Sequence, residues 1–428
     1  MSSNSQVQIL KNVRLFDDSI TDVSISNGIV KEIGNGISGE VIYDARKNLL
    51  LPGLVDLHTH LREPGREDSE TVLTGSNAAI KGGFTAISPM ANTFPVADTA
   101  GVVEQVFRLG IEAGLCDVFP IGAVTQDLAG EHLAEIVAMH KSKAGVRIFS
   151  DDGKCVFDPL LMRRALEYVK TFDGIIAQHA QDPRLTINAQ MNEGVVSSKL
   201  GLAGWPAVAE EAIIARDILL AEHVGSRLHI CHLSTAGGVD LVRFAKNRGV
   251  KVTAEVTPHH LLLTEDLISS YDPIYKVNPP LRTQEDVLAL RKGLADGVID
   301  IVATDHAPHP VEDKDCEWQA AAFGMLGLET ALSVVALAMK EFKEFGWREI
   351  ANVMSINPAR IANYSNHGQE LKVGISANFT IIDTNAKWTV DRNRLASKSK
   401  NTPFDRMELP AKVLATIFNG NLVFGGVD

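Results

Sequence analysis

Eight short apolar runs between residues 53 and 305 constrain this chain more than any other feature: "GLVDLH", "FTAISP", "DVFPIG", "VRIFSD", "IIAQH", "LHICH", "KVTAEV" and "IDIVATD". Amphipathic helical stretches separate them. "DPLLMRRALEYVK" opens on an aspartate cap, Asp158, with a first-turn proline, Pro159. "AVAEEAIIARDILLAEHVG" runs for several turns and stops at Gly225. Alternating strands and helices predict a parallel sheet. Eight such units predict an α/β fold closed as a (β/α)8 TIM-type barrel. An open doubly wound sheet competes, but no GxGxxG follows the first strand, which disfavours its dinucleotide-binding form.

The two ends read differently. "VQILKNVRLF", "TDVSISNGIVKEIG" and "EVIYDARKNLL" at the start, and "ANFTIIDTNAKWTV" and "AKVLATIFNGNLVFGG" at the end, suggest short strands, with a hairpin at Asn27-Gly28. Neither end is long enough for a good core alone. The expectation is one small β-sandwich domain built from residues 1–51 and 366–428, around a hydrolase barrel of residues 52–365.

Composition narrows the function. A net charge of −12 disfavours a broad nucleic-acid surface. Cys116, Cys155, Cys231 and Cys316 form no CxxC pair, so a zinc ribbon is disfavoured. The polar start "MSSNSQ" carries no apolar signal region, and no run approaches the roughly 20 residues that span a bilayer. A cytoplasmic protein with no membrane or nucleic-acid partner is expected.

In such a barrel, function sits at the C-terminal ends of the strands. Polar residues fall there: His58 and His60 after strand one, Asp151 after strand four, His179 after strand five, His232 after strand six and Asp305 after strand eight. A lone histidine or aspartate at such a place is ordinarily a satisfied polar group or a cap. Six at matching ends of five strands predict a metal site. Nitrogen and carboxylate donors suit zinc, with manganese or cobalt as substitutes. Six donors exceed one catalytic zinc and fit two ions if a carboxylate bridges them. Period two turns Cys231 away from His232 and into the core. Asp152 and Cys155 are undecided, with a structural role favoured. His259 and His260 read as positioning or packing residues, and His306 as facing away.

The motifs "DLHTHLREPG", "MANTFP", "FSDDG", "AQHAQD", "HICHLS", "TAEVTPHHL", "VNPPLR" and "ATDHAPH" resemble the class I, long bacterial dihydroorotases of the amidohydrolase superfamily, from about residue 7 to near the C-terminus. The resemblance implies that His58, His60 and Asp305 hold one zinc, that His179 and His232 hold a second, and that Asp151 bridges the two. Many relatives bridge with a carbamylated lysine from strand four. This strand carries Arg147 and no lysine before Lys154, so no carbamylated lysine is expected. Arg62, Asn92 and His309 match residues that hold a substrate carboxylate, His60 also facing substrate. Asn278 matches a contact to the pyrimidine ring. Phe323-Gly324 stands where the family has a Pro-Gly pair offering backbone groups.

The implied activity is reversible cyclisation of N-carbamoyl-L-aspartate to L-dihydroorotate and water, in de novo pyrimidine (UMP) biosynthesis. A zinc-bound water or hydroxide would act with Asp305 as general base and acid. A homo-oligomer and aspartate transcarbamoylase are the expected macromolecular partners. The nearest rivals are hydantoinases, dihydropyrimidinases and allantoinases, against which Arg62 and the missing lysine argue. A non-catalytic transcarbamoylase scaffold is disfavoured because every ligand position is filled.

Overall fold

A computed structural model describes residues 7–425. All eight runs contain strands: β1 (Leu54–Thr59), β2 (Phe84–Pro89), β3 (Asp117–Val118), β4 (Ile148–Phe149), β5 (Ile175–Gln178), β6 (Arg227–Ile230), β7 (Val252–Val256) and β8 (Ile301–Val302). β1 to β3 pair in parallel as one sheet, and β4 to β8 as another, each in chain order. Parallel bridges join them at both seams, Gly122 with Phe149 and Thr59 with His306. At the second seam the Asp56 carboxylate accepts from His58 N and Thr304 N, both at 3.1 Å, and from Thr304 Oγ1 at 2.5 Å, tying β8 to β1.

Side-chain parity divides the packing. Val55, Leu57, Ala86, Ile121, Ile148, Ile175, Ala177, Cys231 and Ile301 form one buried cluster drawn from strands around the ring, joined by Ala359, Ile361 and Ala362. Their neighbours along the strands, such as Phe149, Ile176, Ile230 and Val256, pack in a larger cluster with the helices. Helix signals hold where they were expected. Asp158 Oδ1 accepts from Leu161 N at 2.8 Å at the head of helix Pro159–Lys170. Helix Val208–Val224 ends at Gly225, with φ +71°.

Strands from both termini share one eight-stranded sheet. Leu49–Pro52 runs antiparallel to Phe379–Thr389, with Gln8–Arg14, Ile20–Ser26, Ile29–Gly34 and Glu40–Asp44 on one side and Glu408–Phe418 and Asn421–Phe424 on the other. Leu10, Val23, Ile25, Phe379, Ile381 and Ile417 are part of its core. The hairpin turns through Asn27 and Gly28, at φ +52° and +72°. That backbone suits a two-residue turn, and a Cβ on Gly28 would lie 2.9 Å from Asn419 O. Residues 1–6 and 426–428 of the expected small domain, and with them "MSSNSQ", lie outside the described residues. Among the described residues no helix is long and apolar enough to cross a membrane, and all four cysteines are free thiols.

Candidate metal centre

Local backbone geometry, as much as strand alternation, aims the polar residues. On β1, Asp56 pairs with Ile87 and Thr59 with Pro89, so β1 spends three steps where β2 spends two. This bulge changes parity after Leu57 and brings His58 and His60 to the ring's interior. His232 and Asp305 adopt φ +29° and +47°, and Arg62 φ +62°. Such backbone costs on the order of 1–3 kcal/mol per residue and is tolerated where the surroundings over-determine it.

The six side chains that meet are His58, His60, Asp152, His179, His232 and Asp305. Asp152 Oδ1 lies 3.3 Å from His58 Nε2, 3.3 Å from His179 Nδ1 and 3.1 Å from His232 Nε2, and its Oδ2 lies 3.4 Å from His60 Nε2. Asp305 Oδ1 is 3.0 Å from His60 Nε2 and 3.5 Å from His58 Nε2. All six are buried. Two donors about 2.1 Å from one tetrahedral ion sit roughly 3.4 Å apart, so these separations suit ligands on shared ions. Among the described residues the buried His58 Nε2 has no hydrogen-bond partner, as a lone pair kept for a metal would not. Burial pushes the Asp152 carboxyl up, but His58, His179 and His232 outweigh it and hold the group well below the usual carboxylate range.

Asp151 is a correction. Its carboxylate accepts from Val124 N at 2.8 Å, from Thr125 N at 3.0 Å and from the Thr125 hydroxyl. It faces the same way as Phe149, into the packing between strands and helices, whereas Asp152 shares the parity of Ile148 and enters the ring. The central carboxylate is therefore Asp152, a position undecided from sequence alone, where a structural role is favoured.

Further groups orient the imidazoles, and these the sequence reading missed. Glu255 on β7 accepts from His58 Nδ1 at 2.5 Å, from His232 N at 3.1 Å and from His229 Nε2 at 3.0 Å. Gln181 Oε1 accepts from His179 Nε2 at 2.7 Å, which leaves His179 Nδ1 toward Asp152. Asn92 Oδ1 accepts from His60 Nδ1 at 2.9 Å, so this expected substrate residue orients the His60 ring. Such partners fix tautomer and ring orientation. A signal for Glu255 existed: a charge within a strand buried on both faces calls for a partner. Cys231 sits in the interior cluster, within 4.8 Å of donor atoms of His58 and Glu255. Burial pushes its thiol up to about 12, leaving it protonated.

The expected substrate residues gather beside this cluster. Arg62 Nε donates to Pro308 O at 3.1 Å, and its Nη2 stands 3.3 Å from His309 Nε2. His309 Nε2 donates to Phe323 O at 2.8 Å. Burial and then Arg62 lower the His309 imidazole to about 3, so it is neutral near pH 7. Asn278 Nδ2 donates to Gln181 Oε1 at 3.3 Å, connecting it to His179. Gly324, at φ +145°, would set a Cβ 2.8 Å from His309 Nε2. His260 is fixed by Thr257 Oγ1 at 2.8 Å and Pro279 O at 3.1 Å, a packing role. His306 points away, receiving Gly327 N at 3.2 Å.

A fold of this shape with this donor set defines a cyclic amidohydrolase. The solved L-hydantoinase (dihydropyrimidinase) of Arthrobacter aurescens superposes with a TM-score of 0.87, covering 99% of this chain and 97% of that one at 26% identity. Sequence narrows the class. A family model described as Dihydro-orotase-like matches residues 47–237. Dihydroorotases of Streptomyces coelicolor and Leifsonia xyli are 62% and 63% identical to this chain over 96% of its length, and over 97% and 94% of theirs. The chain belongs to the dihydroorotase family.

Proposed function

We propose that this chain interconverts N-carbamoyl-L-aspartate and L-dihydroorotate, with release of water on ring closure, in pyrimidine biosynthesis. One observation separates this from hydantoin or dihydrouracil chemistry. Arg62 lies at the rim beside His309 and, among the described residues, has no carboxylate within ion-pair distance. A guanidinium so placed suits the carboxylate of dihydroorotate, which the uncharged rings lack.

The ring is read as a (β/α)8 barrel over residues 52–365, with the terminal sheet as a small β-sandwich domain. His58, His60 and Asp305 would hold one zinc, His179 and His232 a second, with Asp152 between them and no need for a carbamylated lysine. Ions held there would acidify water and polarise the scissile carbonyl. Asp305 then accepts a proton from the attacking water and delivers it to the departing ring nitrogen. On ring closure the same carboxylate takes the ureido proton, as microscopic reversibility requires. Arg62 holds the substrate carboxylate, while neutral His309 and the Phe323-Gly324 backbone shape that end of the pocket. Asn278 faces the ring.

The test is turnover by the zinc-loaded chain of dihydroorotate, carbamoyl aspartate, hydantoin and dihydrouracil, repeated with Arg62→Ala. Dihydroorotate should be the preferred ring. Arg62→Ala should raise its KM by roughly 10–100-fold, the worth of a charge-assisted pair, with zinc content intact. Faster opening of the uncharged rings would overturn the assignment. Self-association, aspartate transcarbamoylase as partner and a cytoplasmic site rest on the family resemblance and the free thiols. Gel filtration with and without the transcarbamoylase tests the first two.

A further inference from the structure

The loop that follows β8, residues 307–324, carries His309, Phe323 and Gly324, and outside the one-turn helix Val311–Lys314 two polar clasps fix its shape at the site. The first is Asn401, which comes from far along the chain and is buried. Its Oδ1 accepts from His309 N at 3.1 Å, and its Nδ2 donates to Ala307 O at 2.9 Å and Gly324 O at 3.3 Å. One amide thus holds both ends of the loop. The second is Lys314, also buried. Its ammonium donates to Lys276 O at 3.1 Å, Ala322 O at 2.9 Å and Gly324 O at 3.1 Å. Three donors meet three carbonyls, and among the described residues no carboxylate pairs with it. Gly324 N also donates to Lys276 O at 2.9 Å, so Lys314 staples the loop to the segment that leads into Asn278.

On one side the loop is not backed by packed side chains. A cavity of about 370 Å³ lies there, lined by His309, Lys314, Arg392, Lys400 and Asn401 among others. With space behind it, His309 keeps its place through the bonds that Asn401 and Phe323 make and through Asp313, whose Oδ2 lies 3.5 Å from His309 Nδ1.

We infer that Asn401 and Lys314 are positioning residues for the substrate carboxylate: together they hold the loop in the shape that sets His309 and the Phe323-Gly324 backbone against Arg62. The inference rests on the dihydroorotate reading above. Neither residue touches the metal ligands, so loss of either should weaken recognition and spare the chemistry.

The experiment uses the full zinc-loaded chain and dihydroorotate hydrolysis. Asn401→Asp keeps the acceptor for His309 N and loses both donated bonds. Lys314→Met loses all three, and Lys314→Arg restores donors. Expected are a KM higher by roughly tenfold for Asn401→Asp and Lys314→Met, as for one or two lost hydrogen bonds, kcat within about threefold, unchanged zinc content, and partial recovery of KM in Lys314→Arg. A merely structural role would lower zinc content, melting temperature and kcat without a selective rise in KM. KM within twofold of the parent in both variants, or parallel losses of kcat and zinc, would overturn the inference. The parent chain is the control for the underlying reading: if it opens no dihydroorotate, that reading fails first, whatever the variants do.

Discussion

Asp151 and Asp152 are neighbours with opposite duties. Both follow β4, and both faces of a parallel strand in such a fold are apolar, so alternation alone does not say which face is the interior. Ile148 and Phe149 were equally good candidates for either side; only the packed ring sends Ile148 inward, and Asp152 with it. The histidines were legible because HxH and single strand-end imidazoles stand out against apolar runs. The contrast between the aspartates is measurable by metal analysis. Asp152→Asn should leave less than one zinc per chain and lower turnover by at least about 10³-fold, since the proposed sharing of this carboxylate by two ions has no amide equivalent. Asp151→Asn should retain the parent's zinc and lose roughly 1–3 kcal/mol of stability, because buried N–H groups of Val124 and Thr125 lose a charged acceptor. The reverse pattern would restore Asp151 to the centre.

Among the elements, all eight strands of the ring and the pairing of the two termini were legible, because apolar runs, caps and turn residues are local signals. The links between strands were not. Glu255 lies on β7, bonds His58 of β1, and bonds His229 of β6 and the His232 backbone just after it, a connection that no local pattern encodes. Burial alone would push its carboxyl up, but His58 and His229 more than offset this and hold it far below the ordinary range. The consequence is a fixed tautomer on His58, with Nδ1 protonated and Nε2 free. Glu255→Gln can present an amide donor to the same nitrogen and so disturb that tautomer. Zinc affinity should fall by roughly 10–100-fold, read by competition with a chromophoric chelator. Unchanged affinity would mean that packing alone orients the ring of His58.

At the scale of the whole molecule, the segment after the strand Phe379–Thr389 returns across the ring before re-entering the terminal sheet. Glu70 accepts from Lys398 N at 3.0 Å and from the Ser397 hydroxyl, and Glu329 accepts from Ala396 N at 2.8 Å and Ser397 N at 3.3 Å. The sequence "RLASKSKN" gave no hint of this, since a polar stretch reads as a surface loop until its partners are known. Glu329 shows what the arrangement costs. Burial raises its carboxyl to about 7, against the pull of two backbone N–H groups and of Lys81 and Lys400. A folded-state pKa above the unfolded one means that the folded chain holds this proton more tightly. The resulting stability is fully present below about pH 4.5 and is lost as pH rises through 7. Asp56 and Asp217, raised by burial to about 7 and about 6, act with the same sign. Glu329→Gln keeps an oxygen for the two N–H groups and carries no charge to bury. At pH 8 it should be more stable than the parent by on the order of 2–3 kcal/mol, or about 2–5 °C in melting temperature, and at pH 4.5 the gain should vanish. A gain of equal size at both pH values would assign the effect to packing rather than to the buried charge.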